Sequence, residues 1–244
     1  MYNLVIAFAA GVIVALLVRL LGLPLWAGII PGTIVFVGLY IVLARRIALK
    51  VQALVNAAQK ELSAQPTSVK DRNQRVEKSV KLLEEGLAYD KWQFLIASEL
   101  HAQIGMIRYM VKDLNGALPH LSKANPRNGI ALGMLGALYY QKKEYAKAEQ
   151  TFETAVKTSK KEGIVWGVYA WCLLQQKEKD KALKVLARGV ALNPSDEKLK
   201  GALTAVQNDK KLKMKAWEPL WWQFGLENPP LQQMGGRPVR FERR

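Results

Sequence analysis

Acidic residues are missing from the start of this chain. No aspartate or glutamate precedes Glu61, and the first 44 residues carry a single charge, Arg19. Cysteine is nearly absent as well. The lone Cys172 excludes an internal disulfide framework and any multi-cysteine metal site, and on an apolar helix it reads as a buried, inert thiol. The two histidines, His101 and His120, have no partner at metal-ligand spacing and read as packing or surface residues. There is no Walker loop, no GxSxG and no Rossmann glycine pattern. No catalytic, cofactor-binding or metal site is therefore expected, and an enzyme is not expected. What the chain has is hydrophobic content of 50 % beside a net charge of +16, so apolar and charged residues must be segregated. The basic excess alone does not make a nucleic-acid binder. The lysines are mixed with acids over helix exteriors, with no basic stripe or nucleic-acid fold to support that partner.

The stretch from Gly129 to Pro194 repeats itself. Leu132, Leu135, Gly136, Tyr139, Ala148, Phe152 and Ala155 recur 34 residues later as Trp166, Tyr169, Ala170, Leu173, Ala182, Leu186 and Gly189 in the same order of size, closed by Pro194. Apolar positions step by three and four, the period of an amphipathic helix, and a fixed repeat of this length marks a solenoid of stacked helix pairs. Small residues (Gly136 with Ala148, Ala170 with Ala182) fall where paired helices must cross closely. An earlier unit follows the pattern through Ile104, Gly105, Ala117, Leu121 and Ala124, with Arg108 where tyrosine is usual, Pro119 in its second helix and a shorter closing loop. Ser79 to Ala88 can be laid over Ala182 to Ala191 as a second helix, and Glu197–Lys211 suits a lysine-faced capping helix.

These residues resemble the tetratricopeptide repeat family over roughly residues 75–211. The resemblance implies an all-α solenoid that binds other proteins on its concave side through the first helix of each unit. The matching groove positions are Ile130, Gly133, Ala137 and Tyr140, then Ile164, Gly167, Trp171 and Leu174. Glu99, Ala102, Met106 and Tyr109 belong to the preceding unit. The lysines and asparagines with which some members clamp a terminal carboxylate are missing there, so an apolar helix or strand is the expected ligand. Tyr139 and Trp166 are expected in the core, Tyr140 and Trp171 on the groove. Tyr139→Ala should then melt the fold, and Trp171→Ala should weaken binding alone.

Residues 2–18 and 25–44 form two apolar runs, each near the roughly 20 residues that span a bilayer. A cleaved signal peptide competes for the first run, but a basic n-region is missing and a second apolar run follows at once. Ala7, Gly11 and Ala15 on one run and Gly28 and Gly32 on the other can form close-approach faces, although such residues are common in membrane helices anyway. Pro31 either kinks the second helix or starts it. Arg45, Arg46 and Lys50 follow the second run directly, which directs both termini to the cytoplasm. From Thr33 to Leu62 nothing breaks a helix. The seam Ile47, Val51, Leu54, Ala58 can pack on the repeats or pair two copies of the chain.

The expected plan is a two-helix transmembrane hairpin (1–44), a stalk helix and linker (45–72), helical repeats with a cap (73–211), and a Trp-rich segment with a basic tail (212–244). Trp217, Trp221, Trp222 and Phe224 have three readings: they fill the groove, touch anionic lipid after Lys210, Lys211, Lys213 and Lys215, or dock a partner. The functional expectation is a multi-pass protein of a bacterial-type inner membrane, with its repeats in the cytoplasm, acting as a scaffold for other proteins. A constitutive subunit of a membrane complex with an occupied groove, and an accessory regulator of a membrane enzyme, stay open beside it.

Overall fold

The computed structural model describes residues 1–228, with the backbone alone at Leu25. The basic end from Arg237 to Arg244, read from sequence as extended or disordered, lies outside the described residues. The described residues are helical and contain no strand, an all-α architecture. Two compact units divide the chain, Met1–Ile107 and Arg108 onward.

The first unit begins with α1 (Tyr2–Leu20) and α2 (Leu25–Ser63), joined by a turn in which Gly22 takes a φ of 85°. The two helices are antiparallel and meet on their small residues. A methyl group at Gly11 would lie 2.7 Å from the Gly32 carbonyl oxygen, and one at Gly28 would lie 2.7 Å from that of Ala15. Only glycine permits so close an approach of two backbones. Phe8 and Phe36 extend the seam edge to face at 6.2 Å. Helix α2 begins at Leu25 and runs through Pro31, which forgoes one backbone bond to Ala27 in the second turn. Its far half is no free stalk. Val55 and Ala58 are buried where α2 packs on α3 (Val69–Gly86). Glu61 ties the two ends together, bonding Lys78 at 2.6 Å and facing Arg75 at 3.7 Å. Ser68 caps α3 by accepting from the Asp71 amide at 3.1 Å, which is why the chain restarts as helix just after Pro66. A methyl group at Gly86 would meet Leu100 of α4 (Ile96–Met110) at 2.8 Å, so the small residue there seats one helix against the next.

In the second unit the repeat appears as geometry. Helices α6 (Gly129–Gln141) and α7 (Tyr145–Thr158) recur 34 residues later as α8 (Gly163–Gln175) and α9 (Lys179–Leu192), and α10 (Glu197–Gln207) starts a third unit at the same interval. Before them lies α5 (Leu114–Leu121), short because Pro119 sits in its second turn. Each first helix ends in one turn design. Lys112, Lys143, Lys177 and Asp209 take φ values of 66°, 61°, 63° and 56°. The next amide then reaches back to a carbonyl five residues upstream: Asp113 to Arg108, Glu144 to Tyr139, Glu178 to Leu173 and Lys210 to Ala205. The same turn therefore closes each inner helix in one way. Inside each pair, Phe152 presses on Gly136 and Trp166 on Gly189, at 2.9 and 3.0 Å from where a methyl group would sit. Trp166 is 1 % exposed, as a core residue should be. Tyr139 differs from expectation: it is half-buried, with the Lys147 ammonium 5.6 Å above its ring, because it lies at the open end of α6.

Candidate protein-interaction groove

Helices α6 and α8 are apolar on every side. Ala131 through Leu138, and Ile164 through Cys172, are all buried. One side of each faces its paired second helix. The other is covered by the segment after α10, which turns back across the inner helices as a strap instead of making another second helix. The strap holds Leu212, a 3-10 turn over Met214–Trp217, and the short α11 (Leu220–Gln223). The helical spacing of its aromatics is thus split into two turns around Pro219.

The strap seats its rings on the inner-helix positions. Trp217 lies 3.1 Å from where a methyl group would stand on Gly167, and Phe224 lies 3.1 Å from the same point on Gly133. Any larger residue at either glycine would displace a ring. Trp221, 1 % exposed, meets Trp171 edge-on at 5.3 Å, and Trp171 meets Tyr140 at 6.1 Å. Beyond Phe224 the backbone is clasped: the Tyr109 hydroxyl donates to the Phe224 carbonyl at 2.5 Å and accepts from the Gln141 amide at 2.7 Å. Burial pushes the Tyr109 phenol well above its ordinary range, so it stays a neutral donor. Burial does the same to the Cys172 thiol, which makes it a poor nucleophile.

Of the residues expected to line the groove, the structure thus gathers Tyr109, Gly133, Gly167 and Trp171 under the strap. Ile130, Ala137 and Ile164 flank them on the same helices, and Tyr140 is half-buried at the edge. Leu174 borders a cavity of about 330 Å³ together with Trp171, Val206 and Leu212. Met106 is half-buried on α4 in the first unit. Trp171 is only 7 % exposed, so it is not the free anchor the sequence reading expects. Trp222 is half-buried, and its indole nitrogen has no partner among the described residues. A second cavity, of about 510 Å³, opens between α10 and the strap, with Ala202, Ala205 and Trp217 as apolar lining and Lys198, Lys210, Lys211 and Lys213 around it.

The outer face is charged and cross-linked between repeats. Arg188 grips Glu153 with two bonds at 2.9 and 3.1 Å and lies 5.6 Å over the Trp166 ring, while Lys181 reaches Glu149 at 3.3 Å. The Arg188 guanidinium holds the Glu153 carboxyl below its ordinary value.

Sequence reasoning missed the Tyr109 clasp and the order in which the strap meets the helices. One signal was available. Gly133 and Gly167 stand at equivalent positions of otherwise bulky inner helices, which marks space kept for something large. Stacked helix pairs, apolar on their inner helices and charged outside, make a helical solenoid. Residues 109–163 match the family model of the tetratricopeptide repeat, a repeat that typically serves as a protein-interaction module. No curated protein matches the chain.

Proposed function

We propose that this chain is a membrane-anchored tetratricopeptide scaffold whose apolar groove is held by its own strap and takes a partner segment of the same aromatic character. The observation that carries this reading is the seating of Trp217 and Phe224 on Gly167 and Gly133. The groove has the shape and chemistry for an extended aromatic segment, and the resident one spans only a few turns. A partner helix or strand bearing large apolar anchors would compete for the same glycine-floored sites. The anchor reading rests on α1 and α2. Only 17 % and 11 % of their most apolar windows are buried in the chain, which leaves long apolar surfaces that water does not tolerate. Arg45, Arg46 and Lys50 after the second run direct the repeats to the cytoplasmic side of a bacterial-type inner membrane. Confinement there raises the groove's effective concentration for membrane-bound partners.

The depth at which Trp221 and Phe224 are buried, 1 % exposed each, favours a second reading. In it the strap is permanent, the groove is structural, and the chain is a fixed subunit that contacts its neighbours elsewhere. One experiment separates the two. A photoreactive residue replaces Tyr140, at the strap's edge, in intact cells, with and without Trp221→Ala. The scaffold reading expects protein adducts at this position that increase when the strap is loosened. Adducts that are missing in both backgrounds would sink it in favour of the permanent strap.

A further inference from the structure

We propose that the loop Asp90–Leu95 is a membrane-interface clasp, placing Trp92, Phe94 and Leu95 in the headgroup and upper acyl layer of the bilayer beside the start of α1. This rests on the reading that α1 and α2 span the membrane.

The first observation is a cluster. Beyond the apolar N-terminal helices, the described residues expose large apolar side chains as isolated residues, such as Met110, Tyr145 and Leu192. At this loop three come together: Trp92 is 38 % exposed, Phe94 60 % and Leu95 50 %. Single exposed apolar residues need no explanation, but a contiguous group on a loop tip does. The second observation is strain. Leu95 takes a φ of 68°, a conformation disfavoured for leucine. It is held there by two donors to its carbonyl, the Glu99 amide at 3.1 Å and the Ser98 hydroxyl at 3.0 Å. A strained backbone that turns leucine outward gains nothing in water.

The third observation is position. The Tyr2 amide donates to the Lys91 carbonyl at 2.8 Å, the Asn3 and Gln93 side chains meet at 3.4 Å, and the Tyr2 and Trp92 rings stand edge to face at 5.3 Å. The loop is therefore fixed to the first turn of α1. The register that pairs Gly11 with Gly32 and Ala15 with Gly28 brings Tyr2 level with Ile41, just before Arg45 and Arg46. Lys50 sits over the Tyr89 ring at 5.9 Å, and Lys91 is exposed on the loop itself. The aromatic tip thus lies at the plane where the apolar run ends and cations begin. Tryptophan and its neighbours are favoured in the interface there, and lysine and arginine reach anionic headgroups above it.

The test uses the full chain in phosphatidylglycerol vesicles, with an environment-sensitive fluorophore on an introduced cysteine; native Cys172 is buried and does not compete for label. Labels go on Phe94→Cys, on Val12→Cys in mid-α1, and on Gln65→Cys beyond the end of α2. Lipids carry a nitroxide quencher either near the headgroup or near the chain end. Position 94 is expected to lose most of its emission to the shallow quencher, position 12 to the deep one, and position 65 to neither. Quenching at 12 without quenching at 94 overturns the clasp and leaves the hairpin standing. No quenching at 12 overturns the hairpin, and the clasp with it.

Discussion

Helices α1 and α8 are both apolar over nearly their whole length, yet they solve the same problem differently. Every residue of α8 from Ile164 to Leu173 is buried, in contact with paired helices on one side and the strap on the other. In α1 only Asn3, Ala7 and Gly11 are buried, all on one side. A helix that is apolar all round must be enclosed, by protein or by lipid. The protein encloses α8. Among the described residues α1 has a partner on one face alone, and the proposed membrane anchor would leave the rest to lipid. Composition does not distinguish the two helices. Their surroundings do, and those surroundings can be altered one residue at a time.

The largest effect should come from emptying the protein-enclosed side. Trp166 is nearly fully buried, its indole N–H donates to the Lys160 carbonyl at 3.0 Å, and its ring fills the space over Gly189. Trp166→Ala should destabilise the second unit by about 3–5 kcal/mol, read as a lower denaturation midpoint of the detergent-solubilised protein. Val12→Ala on exposed α1 should leave that midpoint where it is. An equal fall in both variants would mean that α1 is also a protein-packed helix, and the contrast would be gone.

The converse change should register in the membrane and not in the fold. Val12→Lys places a charge in mid-α1, at a cost of about 3 kcal/mol for insertion. The fraction of α1 that inserts in a glycosylation-mapping assay should drop accordingly. An unchanged fraction would show that this face does not meet hydrocarbon.

Much of this arrangement was legible from local pattern. The 34-residue interval, the glycine and alanine crossings and the two apolar runs are each short-range signals, and each came out as an element or a seam. Gly11 and Gly32 illustrate this: their spacing offered a contact face, and the structure closes it to backbone distance. What stayed hidden depends on distant partners. That the Trp217–Phe224 segment fills the groove was one of three open readings, and nothing local to Trp171 names Trp221 as its partner. Tyr109 occupies a repeat position whose role is set by a carbonyl 115 residues away. Tyr139 matched a packing position, but exposure at a helix end is settled by the turn beyond it and by Lys147 across that turn. The loop at Trp92 gave no periodic signal, since its meaning comes from the helix start beside it.

The smallest effect concerns charge, and it should divide the apolar hairpin from the repeats once more. Arg188 holds the Glu153 carboxyl below its ordinary value of 4.5, and the Gly116 amide, helped by Arg108, holds Asp113 below 3.8. Both groups release their protons more readily folded than unfolded. Between the lowered and the ordinary values the unfolded chain therefore binds more protons, and stability falls as the pH falls through that window. Above it the contribution is fully present. The Glu153 to Arg188 pair is partly solvated, so its share is about 1 kcal/mol or less. The second unit should lose thermal stability on acidification from pH 6 to pH 3, whereas α1 carries no acid to titrate. Glu153→Gln gives the decisive measurement. At pH 6 it should melt below the wild type by that small margin, and the gap should narrow as the pH falls below 4.5 and the wild-type carboxyl begins to lose its charge. A gap that stays constant as the pH is lowered would assign the loss to packing around Tyr169 and Arg188, and the ion pair would then contribute nothing to holding neighbouring repeats together.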